Sequence, residues 1–160
     1  MSIQSLPCDP PRSRVQWRPD EPPTRDESSA TRSGPYVAYL AAPLHMYKAA
    51  AYDAALSYLR HEYPTPPHTV LSARELWRST GEWRRTYREI LRPVTIVYIV
   101  PDHGTVGFGV YGEWSYLSDR PVYAFGPDGS PVRVSSLCVS RPYDPRSYAL
   151  VLDEQGRMVL

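Results

Sequence analysis

The sequence predicts an α/β fold: a doubly wound, mostly parallel sheet of the flavodoxin or Rossmann type, followed by a C-terminal β-hairpin. Short β-prone runs alternate with helical patterns between residues 36 and 125, the order that builds right-handed β-α-β crossovers. Residues 94–100 (VTIVYIV) form a nearly continuous apolar run, which is typical of a central strand covered on both faces. The 160 residues, 42% of them hydrophobic, suffice for one domain with its own core.

Composition excludes several classes of protein. The net charge is +1, from 18 basic and 17 acidic residues, so binding to duplex nucleic acid by bulk electrostatics is not expected. No apolar run approaches the ~18 residues of a membrane-spanning helix, and the first residues lack the apolar core of a signal peptide. Only Cys8 and Cys138 are present, which gives neither a disulfide framework nor a metal knuckle. We therefore expect a cytoplasmic protein that is not bound to a membrane.

The chain divides into an arm and a domain. Residues 1–34 contain six prolines, five arginines, five acids and one aromatic residue, Trp17. Such a segment buries too little apolar area to offset the entropy of ordering it, so we expect a disordered or loosely draped arm. The alternative is a partner-binding arm anchored by Trp17. Residues 35–160 form the single predicted domain.

Local signals define the elements of that domain. Pro43 ends the first strand, the prolines at 64, 66 and 67 end the first helix, and Ser72 with Glu75 forms a capping box for the next. Gly81 interrupts this second helical region, and Pro93 ends it. The predicted strands are residues 36–41, 68–71, 94–100 and 120–125, the helices are 46–63, 72–77, 82–91 and 110–118, and residues 148–160 form the hairpin, with 132–134 available to pair back.

Two loops fall where ligands bind in such sheets, beyond the carboxyl ends of the strands. Residues 39–45 (YLAAPLH) follow the first strand, and residues 101–116 (PDHGTVGFGVYGEWSY) follow the third. Gly107, Gly109 and Gly112 spell G-x-G-x-x-G, which permits a dinucleotide-binding interpretation. The motif follows the third strand rather than the first, and the only later acid near a suitable distance is Asp128, so this interpretation is the weakest.

The same two loops carry a resemblance. YLAAPLH and GFGVYGEWSYLSDRPVYAF resemble the nucleoside 2-deoxyribosyltransferase superfamily, which includes nucleoside 5′-monophosphate N-glycosidases. Tyr39 matches the family's first-strand tyrosine, Gly109 its glycine, Glu113 its glutamate four residues later, and Arg120-Pro121-Val122 its entry into the next strand. The similarity covers roughly residues 36–125.

The resemblance implies a function. Glu113 would be the nucleophile that attacks the anomeric carbon of a nucleoside or nucleotide, and Tyr39 would hold its carboxylate and keep it ionised. The implied substrate contacts come from the two loops, at Ala42, Pro43, His45, Asp102, Gly107 and Gly109; no cofactor and no metal is expected. The family's sites are commonly completed by a neighbouring subunit, so we expect a homodimer or larger.

The chain also departs from the family pattern. Gly107 replaces an Asp or Ser that contacts the 5′ group, and Tyr87 and Thr95 occupy positions where the family has aspartates. These departures leave a non-catalytic nucleotide-binding module as the alternative. Without the resemblance, Glu113 is a first-turn helix acid and Tyr39 a core tyrosine. The base, the sugar, and hydrolysis as against transfer remain open from the sequence.

Overall fold

The computed structural model describes residues 35–80, 84–139 and 148–160. The predicted arm at residues 1–34 and the predicted helix interruption at Gly81 lie outside the described residues, as do the side chains of residues 79, 80 and 84–87.

The described residues form one mixed sheet of seven strands in the order β2-β1-β3-β5-β6-β7-β4. The first four strands in this order are parallel, and the other three pairings are antiparallel. The order β2-β1-β3-β5 is that of a flavodoxin-like sheet, as predicted. The strands are β1 (Val37–Ala41), β2 (Thr69–Ser72), β3 (Ile96–Ile99), β4 (Thr105–Val106), β5 (Val122–Phe125), β6 (Pro131–Val139) and β7 (Ala149–Asp153).

The predicted central strand is confirmed. β3 lies between β1 and β5, with Val97 opposite both Tyr39 and Val122, and all four of its residues are buried. Burial on both faces explains the unbroken apolar run that predicted this position, because a strand with helices on both sides has no solvent face.

In the part of the chain that the structure describes, four α-helices connect the strands, and a 3₁₀ helix, Leu44–Lys48, precedes the first. Alternate strand residues point to opposite faces of the sheet. Tyr39 points to the face covered by the helix at 108–117, whereas Tyr98 points to the face covered by the helix at 50–62. On the second face Tyr63 hydrogen-bonds Tyr98 at 2.8 Å between hydroxyls. None of the helices in the described ranges is long and apolar enough to cross a membrane. The helices are α1 (Ala50–Glu62), α2 (Ala73–Thr80), α3 (Arg84–Leu91) and α4 (Phe108–Leu117).

Two regions differ from the predicted elements. The helix expected at residues 110–118 begins at Phe108, so Gly109 also lies inside it and Gly107 is its N-cap. The segment expected to pair back at 132–134 is the nine-residue strand β6, which joins the parallel core to β7. The predicted C-terminal hairpin is present, since a turn after β7 brings Val159 N–H to the carbonyl of Val151 at 2.9 Å.

A tight turn follows β3 and requires glycine. Asp102 and Thr105 exchange two backbone hydrogen bonds, of 2.9 and 3.1 Å, around His103 and Gly104, which both have positive φ (52° and 79°). This is the pattern of a two-residue type I′ hairpin. A Cβ on Gly104 would lie 2.5 Å from Met158 Cγ and 2.9 Å from the Val159 carbonyl oxygen. Gly104 therefore combines a left-handed backbone with close packing against the C-terminal segment.

Replacing Gly104 with alanine is expected to destabilise the fold more than an equal change at an open left-handed glycine. Gly129 and Gly156 also have positive φ, but a Cβ there meets nothing within 4 Å. We expect Gly129→Ala and Gly156→Ala to lower the free energy of unfolding by about 1–2 kcal/mol, and Gly104→Ala by a further ~1–3 kcal/mol from overpacking. Urea unfolding of the three variants measures the difference, and equal losses would show that the contact with Met158 is relieved without cost.

Candidate active site

Glu113 lies on the buried face of α4. Its neighbours on that face are Val110, Trp114 and Leu117, the i−3, i+1 and i+4 positions of one helix stripe. This stripe packs over the carboxyl ends of β1 and β3 and over β5, at Ala41, Val97, Ile99 and Val122. Glu113 thus lies on the buried stripe of α4, where an amphipathic helix normally has an apolar side chain.

Tyr39 is the partner of Glu113. Its hydroxyl donates a hydrogen bond to Glu113 Oε2 at 2.9 Å, across 74 residues of sequence. Tyr39 is fully buried in β1, whose alternation directs this side chain towards α4. The juxtaposition expected from the sequence is therefore present in the fold.

The second carboxyl oxygen is unsatisfied. Glu113 is only 6% exposed, and its Oε1 has no hydrogen-bond partner among the described residues. Burial raises the pKa of Glu113 from 4.5 to about 8, against a smaller lowering by the Tyr39 hydroxyl. Desolvation disfavours the charged form more than one hydrogen bond favours it. The expectation that Tyr39 keeps this carboxyl ionised is wrong at neutral pH.

The space beside Glu113 is small. The cavity that it lines has a volume of about 10 Å³, room for roughly one water molecule. A nucleophile needs access to its substrate, but in this conformation α4 packs directly on the sheet and covers Glu113. Trp114, the next residue on α4, is also buried, at 4% exposure.

A second polar pair, His45 and Asp102, lies at the carboxyl edge of the sheet. His45 Nε2 lies 2.8 Å from Asp102 Oδ2, and both side chains are partly exposed. His45 follows β1 and Asp102 follows β3, adjacent strands whose helices depart in opposite directions. Ligands bind at such a switch point in open α/β sheets, and the pair lies across it.

A groove of about 590 Å³ opens at the same edge. Its volume lies within the range of small-molecule sites, ~300–1,000 Å³. The segment after β5, residues 126–129 (GPDG), also lines this groove. Its sequence indicates only a turn. Because ligands bind beyond the carboxyl ends of the parallel strands, the loop after the fourth predicted strand was also a candidate. The groove is formed by Met46 and the alanines of α1, by Val100 to His103 after β3, by Phe125 to Gly129 after β5, and by Leu160.

The remaining predicted substrate contacts occupy the loops around α4. Gly107 is the N-cap of α4, with extended backbone and no side-chain cap, and Gly109 lies exposed in the first turn. Pro43 approaches this end, since a Cβ on Gly107 would lie 4.0 Å from Pro43 Cβ. Ala42 is buried, at 3% exposure, and supports the loop rather than facing solvent.

Thr95 and Tyr87 occupy the two positions where the nucleoside 2-deoxyribosyltransferase pattern has aspartates, and the structure describes the side chain of only the first. Thr95 precedes β3, where its hydroxyl accepts a hydrogen bond from Val37 N–H at 2.9 Å. That contact lies at the amino end of the strands, the edge opposite Glu113, so Thr95 has a structural role. The side chain of Tyr87 lies outside the described residues. Within the described part of the chain, no group of three His, Cys, Asp or Glu side chains could hold a metal ion.

Comparison with known proteins gives no match. No protein-family model, no curated protein and no solved structure is significantly similar to the chain. Function is therefore argued from the site alone.

Proposed function

We propose that the protein cleaves the N-glycosidic bond of a nucleoside or nucleoside 5′-monophosphate, or transfers its ribosyl or deoxyribosyl group, with Glu113 as nucleophile. One observation carries this proposal: a buried carboxyl group that is half satisfied by Tyr39 and half unsatisfied. A buried polar atom without a partner costs free energy. A perturbed carboxyl beside a cavity at the ligand-binding edge is typical of a functional group.

In this proposal Oε1 attacks the anomeric carbon as the base departs, because it is the oxygen that no hydrogen bond occupies. The Tyr39 hydroxyl fixes the side-chain rotamer through Oε2. A glycosyl ester on Glu113 results, and water or a second base then resolves it. A carboxylate suits this reaction because the transition state resembles an oxocarbenium ion, whose positive charge it stabilises.

The reaction requires ionisation and space. With a pKa of about 8, roughly one Glu113 in ten is ionised at pH 7, so the fraction of Glu113 that is able to attack should rise as the pH approaches 8. A sugar is far larger than the 10 Å³ cavity, so the first turns of α4 must move on binding. Gly109 and Gly112 weaken this helix, each by about 1 kcal/mol relative to alanine, which favours such a movement.

The experiment is to search for the glycosyl ester. The protein is incubated with purine and pyrimidine ribo- and deoxyribonucleosides and their 5′-monophosphates, and free base is detected by chromatography. For a cleaved substrate, the 2′-fluoro-arabino analogue slows breakdown of the ester, and peptide mass spectrometry locates it. We expect the adduct on Glu113. Base release with the adduct on another residue, or with none, would refute the proposed nucleophile.

The groove favours a second candidate, a nucleotide-binding module without catalysis. It is open and of ligand size, whereas Glu113 is covered. Calorimetric binding of nucleosides or nucleotides, with no base release from any member of the panel, would support this candidate instead.

A further inference from the structure

The proposed reaction needs a second ionisable group. When an N-glycosidic bond breaks, its electron pair goes to the base, and a poor leaving group departs faster when a proton reaches it in the transition state. Glu113 does not supply that proton while it forms the ester. The rest of its cavity is apolar, at Ala41, Val97, Ile99 and Val122. Two tyrosines also lie near Glu113, but the Tyr39 hydroxyl is engaged with Oε2, and burial together with Glu113 raises the pKa of Tyr116 to about 12. A more acidic donor is therefore sought at the carboxyl edge of the sheet.

The pair of His45 and Asp102 has the geometry of a proton donor. Asp102 Oδ2 occupies one ring nitrogen, Nε2, at 2.8 Å, which fixes the tautomer and the direction of the ring. Asp102 is itself held by the turn after β3, through backbone hydrogen bonds with Thr105. The His45 side chain is 55% exposed, so its other nitrogen, Nδ1, is available to a ligand.

The pair and Glu113 belong to one end of the sheet. Ala41 and Ile99, which are paired in the sheet, line the Glu113 cavity, and His45 and Asp102 follow them by four and three residues. Glu113 is six residues beyond the N-cap of α4, about 9 Å along the helix axis. That end of α4 faces the β1 loop, through Pro43. Asp102 also lines the large groove, which lies on the α1 face of the sheet, whereas Glu113 lies on the α4 face. A substrate that used both would cross the carboxyl edge, with its base beside the pair and its sugar towards α4.

We infer that His45, oriented by Asp102, is the general acid that protonates the departing base, a role that rests on the function proposed above. The His45 imidazolium gives its Nδ1 proton to a base nitrogen as the C1′–N bond breaks and Glu113 Oε1 bonds to C1′. His45 is then neutral and takes a proton from the water that attacks C1′. The free sugar, the Glu113 carboxylate and the imidazolium result.

The test uses two leaving groups. Nucleosides need protonation of the base, whereas 4-nitrophenyl β-D-ribofuranoside leaves as a stable phenolate and does not. His45→Gln retains an amide that can bond Asp102 but has no proton to transfer. In a single turnover, which reports formation of the ester and not its hydrolysis, we expect this variant to release base from the cleaved nucleoside about 100-fold more slowly or worse. In the same single-turnover measurement it should release nitrophenolate within about threefold of wild type. Asp102→Asn should show the same selectivity with a smaller loss.

Controls separate the inference from the proposed function. His61→Gln replaces an exposed histidine in the last turn of α1, at the opposite edge of the sheet, and should change neither rate. Glu113→Gln should abolish both. If His45→Gln lowers both rates equally or neither, the general-acid role is refuted while Glu113 stands. If wild type cleaves neither substrate, the proposed function fails and this role fails with it.

Discussion

Glu113→Gln is expected to lower base release by at least about a thousandfold. Glutamine keeps the size and polarity of the side chain and can still accept the Tyr39 hydrogen bond, but it cannot form a stable ester with the sugar. Loss of a nucleophile removes the covalent route entirely, so the residual rate reflects only binding and electrostatic effects. The measurement is the single-turnover rate of base release from the preferred substrate, which reports chemistry rather than product release.

A matched variant controls for the loss of a carboxyl group elsewhere. Glu89 lies exposed on α3, paired with Arg92 at 3.0 Å, and Glu89→Gln should leave the rate unchanged. Full activity in Glu113→Gln would exclude the covalent mechanism and would assign the buried carboxyl to the core.

Folding stability should depend on pH through Glu113, whatever the protein does. Its pKa is about 8 in the folded protein and 4.5 ordinarily, so the folded state binds the proton more tightly. The stabilising contribution is complete below about pH 4.5 and is lost as the pH rises through about 8. Each pKa unit corresponds to ~1.4 kcal/mol. The free energy of unfolding of wild type should therefore fall by roughly 4 kcal/mol between pH 5 and 8.5 from this group alone.

Glu113→Gln removes that dependence. The variant should match wild type at pH 5, where the carboxyl is neutral in the folded protein, and exceed it by roughly 4 kcal/mol at pH 8.5. The burial of the side chain is the physical reason for this expectation. Tyr39→Phe should extend the loss to higher pH, because the tyrosine hydroxyl is the group that lowers the pKa.

Denaturant unfolding of wild type, Glu113→Gln and Glu89→Gln across this range gives the comparison. A constant difference between wild type and Glu113→Gln at all pH values would mean that Glu113 is hydrated in solution and that α4 does not cover it. This result would bear on access to the carboxyl independently of any assay of activity.

The sequence predicted the parallel core because its signals are local. Residues 94–100 are almost continuously apolar, and prolines end the first strand and the first helix, so the parallel strand type and the central position of β3 followed. The start of α4 was misplaced by two residues. Gly109 indicates a loop by propensity, but packing of Val110 and Trp114 on the sheet extends the helix over it and leaves Gly107 as the N-cap.

The contact between Tyr39 and Glu113 was predicted from a resemblance, whereas the ionisation state of Glu113 was not predictable in that way. A pKa depends on what surrounds the carboxyl, and only the packing of α4 against β1, β3 and β5 excludes water from it. The groove and the pair of His45 and Asp102 likewise come from loops that are distant in sequence, at residues 42–46, 100–103 and 125–129. The sequence by itself determined the parallel core, and it indicated the two loops at the carboxyl edge of the sheet as the candidate site. The tertiary structure decided which of their residues meet, which are covered and which hold a proton, because burial and distance are properties of the packed chain.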